Sequence, residues 1–235
     1  MKKLFLSSAI LALILQANTA PLAFIVLNTA GWDPGRLPSD WQVKVNHGRP
    51  DFSVCTDSLG PCLHLKSVKA SFGLERRVNI DAAEMPFLTW RWKVTQLPAG
   101  GDFRHANSDD QAAQVLVAFA DRRILTYIWD TSAPQGMAQS ASAIPLVHIF
   151  AVVCESGAAE ANQWVSESRN LAADYQLSDA NQWVSESRNL AADYQRAYGK
   201  SAPRVNGLRI QINSQHTGTV AESYFGEVAF RSTPR

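Results

Sequence analysis

The chain has little excess of charge of either sign. Its 22 Lys and Arg and 21 Asp and Glu leave a formal net charge of +1 over 235 residues. Nucleic-acid binding needs a clustered basic face, and the even balance, with no basic run, predicts no nucleic-acid partner. The sequence also lacks a G-x-S-x-G nucleophile motif, a phosphate-binding glycine loop and a dinucleotide fingerprint. These absences disfavour serine hydrolases and nucleotide-binding proteins.

Metal ligands at metal-binding spacing are also missing. A zinc site needs three or four His, Cys or carboxylate ligands close together, and all five histidines are isolated: His47, His64, His105, His148 and His216. We therefore predict no metal centre and no cofactor. The exception left open is Ca²⁺, which a carboxylate of Asp109 or Asp110 could bind together with loop carbonyls. In the alternative reading, one carboxylate is solvated and the other caps the loop.

The N-terminus resembles an export signal. Lys2 and Lys3 precede an apolar stretch over residues 4–15, and a small-residue region follows. This order is typical of a secretory signal peptide, here residues 1–20, and predicts a periplasmic or secreted protein. Apolar character continues over residues 21–27, so an uncleaved anchor is the alternative. The signal or that anchor is the only membrane contact that we expect.

Cysteine is scarce, with three residues in the chain. Exported proteins meet oxidising conditions that favour disulfides. Cys55 and Cys62 enclose the turn-rich stretch TDSLGP, so we predict a Cys55–Cys62 disulfide across a hairpin, with Cys154 buried and unpaired. The alternative is three reduced, buried thiols.

The middle of the chain alternates between apolar and polar residues, as half-buried strands do. In FLTWRWKV (87–94), Trp90 and Trp92 share one face with Leu88, while Arg91 and Lys93 occupy the other. Further strands are predicted at 111–120, 122–130, 208–213 and 223–230, and weaker ones at 41–46, 62–67, 72–80 and 146–153. Many short strands without βαβ alternation predict an all-β fold, an antiparallel β-sandwich of the jelly-roll type with one helical insertion. We expect a single domain over residues 28–235.

A perfect repeat supplies the helical pattern. The segment ANQWVSESRNLAADYQ occurs twice within residues 161–195, with a period of 19 residues. In the second copy Trp183 and later apolar residues follow helical spacing, with Asp179 as the predicted N-cap and Gly199 as the stop. We predict that the second copy forms the working helix and that the first bulges out as a solvated loop-helix.

Several motifs, in this order, resemble a bacterial exported family called domain of unknown function 3047. They are WRWKV (90–94), LP-x-GGD-x-R (97–104), DDQAAQ (109–114), YIWD (127–130), RNLAADYQRAYG (188–199) and INSQHTGTVAESYFGEVAF (212–230). The similarity extends from about Trp32 to Phe230. It implies export and a β-sandwich fold, and no established activity. The family has one helical segment between the corresponding strands, so the duplication is a departure, and it assigns no role to Arg169, Asn170 or Asp174 of the first copy.

Polar side chains gather where predicted strands end. Counting from a tight turn at Asp121 places Asp110 and Asp130 at the same end of a sheet. Arg104 on the preceding loop could offset their charge. The NSQHTG stretch joins them if its strand is nearby. The candidate ligand-binding residues are Arg104, Asp109, Asp110, Gln111, Trp129, Asp130, Asn213, Gln215, His216 and Glu222.

Three functions fit these patterns. The first is a non-catalytic carbohydrate- or ligand-binding module of the cell envelope, with aromatic faces and short polar side chains for a glycan or another small molecule. The second is a glycan-acting lyase or hydrolase that uses Asp110, Glu222 and His216, with Arg104 nearby. Glycoside hydrolysis needs two carboxyls about 5–10 Å apart across a cleft. The third is a structural envelope protein whose polar clusters hold loops.

Overall fold

A computed structural model describes residues 22–33, 35–141, 147–167 and 188–234. These residues form two β-sheets packed face to face, one α-helix and a short 3-10 helix at Ala106–Ser108. The strands are β1 (Ala23–Leu27), β2 (Trp41–His47), β3 (Phe52–Asp57), β4 (Gly60–Val68), β5 (Ser71–Ile80), β6 (Phe87–Gln96), β7 (Ala113–Phe119), β8 (Arg123–Asp130), β9 (Ala138–Ser140), β10 (His148–Ser156), β11 (Val165–Glu167), β12 (Arg188–Asn189), β13 (Val205–Asn213) and β14 (Val220–Arg231), and the helix is α1 (Leu190–Tyr198).

The two sheets differ in how their strands are ordered. Sheet A has the order β11-β6-β14-β4-β3, and in addition β1 pairs with β14 and β12 pairs with β6. Sheet B has the order β2-β5-β13-β7-β8-β10-β9. All pairs are antiparallel except β8 with β10, which run parallel. Each sheet therefore joins strands that are far apart in sequence.

The predicted antiparallel β-sandwich is confirmed. Every predicted strand is present, with bounds that differ by a few residues. The register of β14 on β6 shifts between Phe225 and Val228, which marks a β-bulge around Gly226. Period-two alternation marks strands such as β4, β6 and β13, which have one face in the core and the other partly exposed. Most of β8 and β10 is buried on both faces, because a second, smaller cluster covers their outer side: Phe103, Ile128, Ala133, Ala151 and Val153.

Aromatic side chains join the two sheets across the core. Trp90 and Trp92 of sheet A are buried, and their rings lie 5.1 Å from Tyr127 and 5.9 Å from Trp129 of sheet B, between centroids. Large aromatic side chains bury much apolar area and favour tilted contacts of this kind. The predicted inward face of β6 is therefore the central layer of the core.

The first described strand belongs to the sandwich. Residues Ala23–Leu27 pair with β14, and Val26 and Leu27 are buried. The domain thus includes residues before 28, its predicted start, because β14 is long enough to accept a partner beyond the end of β4. The predicted signal peptide at 1–20 lies outside the described residues. Within the described part of the chain, no helix has the length and apolarity needed to cross a membrane.

The predicted disulfide is not formed in the structure. Cys55 and Cys62 lie directly opposite each other on β3 and β4, as the hairpin prediction requires, but both are thiols. The Sγ of Cys55 instead lies 3.5 Å from the carbonyl oxygen of Cys62, to which it donates. Burial, followed by the hydrogen bond with Cys55, raises the pKa of the Cys62 thiol to about 12. Cys154 lies buried in the core, as predicted.

The helix is shorter than predicted and begins later. Asn189 is its N-cap, since the side-chain oxygen accepts a hydrogen bond from the backbone N–H of Ala192 at 3.0 Å. It ends at Gly199, which has a φ of 70°, as predicted for a left-handed C-cap. The predicted cap Asp179 and the predicted core residue Trp183 lie outside the described residues.

A buried ion pair fixes α1 to sheet B. Arg188 donates two hydrogen bonds of 2.9 Å to the carboxylate of Asp193, and Tyr127 donates a third of 2.7 Å. Arg188 is 2% exposed and Asp193 3%. A buried carboxylate needs such partners, because its desolvation is otherwise costly. The ion pair therefore connects the helix to the core strand β8.

A second contact of α1 involves Asp121, the residue at the predicted turn between β7 and β8. Its carboxylate accepts from the Tyr194 hydroxyl, from Lys200 at 2.8 Å and from Arg123 at 2.7 Å. Burial opposes its ionisation, but these donors outweigh that effect and lower the pKa of Asp121 from 3.8 to about 2.

The repeat contributes to the fold through parts of both copies. Val165–Glu167 of the first copy pair with β6, with Glu167 opposite Trp90, and Trp164 is 9% exposed. The second copy pairs with the same strand from Arg188, which is opposite Leu88. The prediction that the first copy bulges out as a solvated loop-helix is therefore wrong for residues 165–167, because the open edge of β6 accepts them; the rest of that copy, from residue 168, lies outside the described residues.

The register shows how the duplication is accommodated. On β6 a single residue, Thr89, separates the partners of Glu167 and Arg188, whereas the chain has 20 residues, 168–187, between those two. The difference is 19 residues, which equals the period of the repeat. Residues of both copies thus occupy the positions that one uninterrupted copy would take.

Candidate functional site

Loops at one end of sheet B bring the predicted aspartates together. Gly101 shows how closely they pack: a Cβ on this residue would lie 2.5 Å from the carbonyl oxygen of Asp110 and 3.1 Å from the hydroxyl of Thr131. Asp110 and Asp130 therefore lie at the same end of the sheet, in the arrangement that counting from the turn predicts.

Asp130 holds the loops at this end. Its carboxylate is fully buried and accepts hydrogen bonds from the backbone N–H groups of Phe103 at 3.0 Å and of Ser132 and Ala133 at 2.8 Å each. Burial raises the pKa of Asp130, although the three donors favour the charged form. The side chain is inaccessible to a ligand, so it is a loop-holding residue.

Asp110 has a similar role on the next loop. It is fully buried, and one oxygen accepts from the backbone N–H of Thr217 at 2.7 Å and from its hydroxyl at 2.8 Å. The other oxygen lies 3.3 Å from both the backbone N and the Nδ1 of His216. Because Thr217 and His216 occupy both oxygens with donors, this carboxylate is not arranged to ligate Ca²⁺. Among the described residues, no three His, Cys, Asp or Glu side chains converge as metal ligands.

Arg104 does not neutralise these two aspartates, contrary to the prediction. It forms hydrogen bonds of 2.7 and 2.6 Å to the two carboxylate oxygens of Asp102, which hold the pKa of Asp102 below its usual range. Asp102 is only two residues away on the same loop, so the guanidinium needs no long reach. The charge of Asp110 and Asp130 is offset by backbone donors instead.

Trp129 cannot bind a sugar face, contrary to the prediction. It is fully buried, and its Nε1 donates to the carbonyl of Gly157 at 3.0 Å. All six described tryptophans are buried or half-buried. Alternation placed Trp129 and Asp130 on opposite faces, and the aromatic residue took the core face.

Glu222 lies in a different cluster from Asp110 and His216, so the predicted catalytic trio is not assembled. It belongs to β14 of sheet A, where its carboxylate contacts His64 Nε2 at 2.8 Å and Thr95 Oγ1 at 3.0 Å. Burial opposes its ionisation, but these two bonds hold the pKa of Glu222 below its usual range. His64, which appears isolated in sequence, is opposite Tyr224 on the neighbouring strand and stacks on it at 4.5 Å.

Polar residues at the end of sheet B form a connected group, in which Asn213 and Gln111 are buried and Asp109 is half-buried. The Asn213 side chain donates to the carbonyl of Asp109 at 2.7 Å and accepts from the backbone of Gln111 at 2.9 Å. Gln111 in turn donates to the Asp109 carboxylate at 2.8 Å. Burial raises the pKa of Asp109. Gln215 is half-buried beside the exposed His216.

This group continues along the outer face of sheet B, the face turned away from sheet A. Gln42 donates to Glu75 at 2.8 Å, Arg209 to Glu75 at 2.9 Å and to Gln211 at 3.3 Å, Gln211 to Gln114 at 3.4 Å, and Gln114 to Asn213 at 2.6 Å. We call this chain of six side chains, Gln42, Glu75, Arg209, Gln211, Gln114 and Asn213, the polar ladder. Of the six residues, only Asn213 is predicted from the sequence, because the other five lie on four separate strands.

A groove of about 170 Å³ lies beside the polar ladder. Its floor is one row across four strands, because Arg77 is opposite Gly207, Gly207 is opposite Ala118, and Ala118 is opposite Ile124. The two small residues in the middle leave the depression. Leu116 and the ladder residues of the neighbouring row line its side. We call this depression the small-residue groove.

These features define a β-sandwich with an open polar face and a shallow groove. The chain belongs to the family described as "Protein of unknown function (DUF3047)", which matches residues 31–229. Among curated proteins, none matches the sequence.

Several solved structures are distantly similar to this chain. The xyloglucanase domain of NopAA from Sinorhizobium fredii, in complex with cellobiose, is 6% identical with a TM-score of 0.45, covering 85% of this chain and 95% of that one. A family 11 carbohydrate-binding module of Clostridium thermocellum is 7% identical with a TM-score of 0.40, covering 90% and 95%. Endoglucanase Cel12A of Rhodothermus marinus is 9% identical with a TM-score of 0.44, covering 89% and 99%. Identities this low transfer neither a ligand nor an activity.

Proposed function

We propose that the protein is a non-catalytic carbohydrate-binding β-sandwich of the cell envelope, and that it binds its ligand along the outer face of sheet B. The observation that carries this proposal is the polar ladder. Its amide, guanidinium and carboxylate groups are planar donors and acceptors at fixed spacing on a rigid sheet. Sugar hydroxyls need such groups, and rigid elements hold a binding site more accurately than loops do.

The ladder retains capacity for a ligand. Each Gln side chain has two N–H donors and two acceptor positions on its oxygen, whereas Gln211 accepts one bond from Arg209 and donates one to Gln114. Gln42 is exposed and donates one bond to Glu75. The unused donors and acceptors are available for hydroxyl groups of a bound glycan.

The geometry supports binding over catalysis. Asp110 and Asp130 are fully buried and occupied by loop donors, and Glu222 is bonded to His64 and Thr95. A glycoside hydrolase needs one carboxyl as acid and one as base or nucleophile, both facing the substrate. Among the predicted carboxyls, no pair meets this requirement. Export through the N-terminal signal remains part of the proposal and places the protein with extracellular or periplasmic glycans.

Binding can be tested with a glycan array followed by calorimetry on the purified protein. We expect Gln211→Ala and Gln42→Ala each to weaken binding about 2- to 10-fold, the range for one or two hydrogen bonds, with an unchanged melting temperature. Lys66→Ala on sheet A is the matched control and should bind as the unchanged protein does. The proposal is wrong if no glycan binds, or if Lys66→Ala weakens binding as much as the ladder variants.

A further inference from the structure

One of the arginines that line the small-residue groove has no charged partner. Two of its three arginines are paired: Arg76 with Asp40 at 2.7 Å, and Arg209 with Glu75. Arg77 is exposed, and its side chain has neither a hydrogen bond nor an ion pair within the described part of the chain. The groove therefore has one available guanidinium at one end.

The rest of the groove fits a sugar ring. Opposite Arg77, the row ends in Ile124, and Leu116 lines the side, so aliphatic carbon is available for the C–H surface of a ring. Gln42 and Glu75 border the groove and can bond to hydroxyls. Ligand pockets are commonly roughly 300–1,000 Å³, so a groove of about 170 Å³ suits one ring and not a whole oligosaccharide.

The guanidinium of Arg77 indicates which substituent the sugar ring should carry. Arginine presents parallel N–H donors that match the two oxygens of a planar carboxylate. A neutral sugar would leave this charge without a partner. We infer that the small-residue groove is a subsite for an acidic sugar, a uronate unit of a glycan, with Arg77 bonded to its carboxylate. This inference rests on the proposed carbohydrate-binding function.

Gly207 offers a way to fill the groove without disturbing the fold. A Cβ on this residue would lie 3.7 Å from Ala118 Cβ and 3.8 Å from the Arg76 carbonyl oxygen, which are ordinary contact distances. Gly207→Val should therefore fold, and strands favour β-branched residues. If the small-residue groove had no role in binding, filling it would leave ligand binding unchanged.

The experiment measures affinities by calorimetry at low ionic strength, where a surface charge is least screened. The probes are trimers of glucuronate, galacturonate and mannuronate with their neutral counterparts, and sulfated trimers. We expect a uronate trimer to bind at least about 10-fold more tightly than its neutral counterpart, as one charged hydrogen-bond pair supplies. Arg77→Gln should remove that difference, and Gly207→Val should abolish uronate binding with an unchanged or higher melting temperature. Lys44→Gln removes a cation of the adjacent strand β2, outside the groove, and should keep the preference.

The outcomes separate the two proposals. If neutral or sulfated trimers bind as tightly as uronates, if Arg77→Gln has no effect, or if Lys44→Gln causes the same loss, the acidic subsite is wrong while glycan binding stands. If Gly207→Val leaves uronate binding intact, the groove is not the subsite. If no trimer binds although the glycan array finds another ligand, the acidic subsite is wrong and the proposed function stands. If nothing on the array binds either, the proposed function itself fails.

Discussion

Removing one period of the repeat should stabilise the protein. Deleting residues 168–186 joins Glu167 to Ser187 and leaves one copy of ANQWVSESRNLAADYQ. Deleting 162–180 produces the same sequence, because the two copies are identical. In the product, Ser187 comes opposite Thr89, the residue between the partners of Glu167 and Arg188 on β6. The two short strands β11 and β12 then become one continuous edge strand.

The gain follows from the entropy of closing the inserted segment. The ends of 20 residues must be brought to neighbouring positions on β6. Closing a chain segment of that length costs about (3/2)RT ln 20, or roughly 2.7 kcal/mol. For a domain of this size, each kcal/mol shifts the melting temperature by about 2–4 °C, so we expect a rise of about 5–10 °C.

Thermal unfolding followed by circular dichroism measures this shift. The matched control replaces residues 168–186 with a Gly/Ser segment of equal length and should melt close to the unchanged protein, since it keeps the closure cost. A lower melting temperature in the deletion variant would show that the register argument is wrong. A control that melts well below the unchanged protein would show that the inserted residues make stabilising contacts of their own.

Three further predictions concern buried groups. Asp193→Asn leaves Arg188 buried without a counter-charge and should lower the free energy of unfolding, measured in urea, by about 3–5 kcal/mol. The surface variant Asp81→Asn should change it by less than about 1 kcal/mol, and equal effects would contradict a stabilising role for the buried ion pair. The pKa of Asp121 is about 2 in the folded protein and 3.8 ordinarily, so its contribution to stability is present above pH 4 and lost between about pH 4 and pH 2. Asp121→Asn should therefore flatten the pH dependence of the urea midpoint over that interval, and an unaltered dependence would refute this. With a pKa of about 12, Cys62 should resist iodoacetamide at pH 8 in the folded, reduced protein and react after unfolding; mass spectrometry that finds it labelled in the folded state would contradict the burial argument.

The sequence by itself determined the elements and the class of fold. Alternation in FLTWRWKV predicted a strand because β6 has one buried and one partly exposed face. Residues 122–130 were also predicted correctly as a strand, although both faces of β8 are largely buried in the structure. Gly199 predicted the end of the helix because its left-handed conformation suits glycine. The count from the turn at Asp121 brought Asp110 and Asp130 together, since antiparallel neighbours joined by a tight turn have a register set by that turn.

Only the tertiary structure decided which residues share a site. Alternation separates Trp129 from Asp130 but does not say which of them faces the other sheet. Trp129 packs against Trp92 of sheet A, whereas Asp130 is buried beneath the loops that it holds. The polar ladder and the pairing of His64 with Glu222 connect strands far apart in sequence, and such pairings depend on how the sheets are ordered. The repeat is the clearest case. Two identical segments have identical local preferences, so sequence could not choose between them, and the register on β6 selected the first residues of one copy and the last residues of the other.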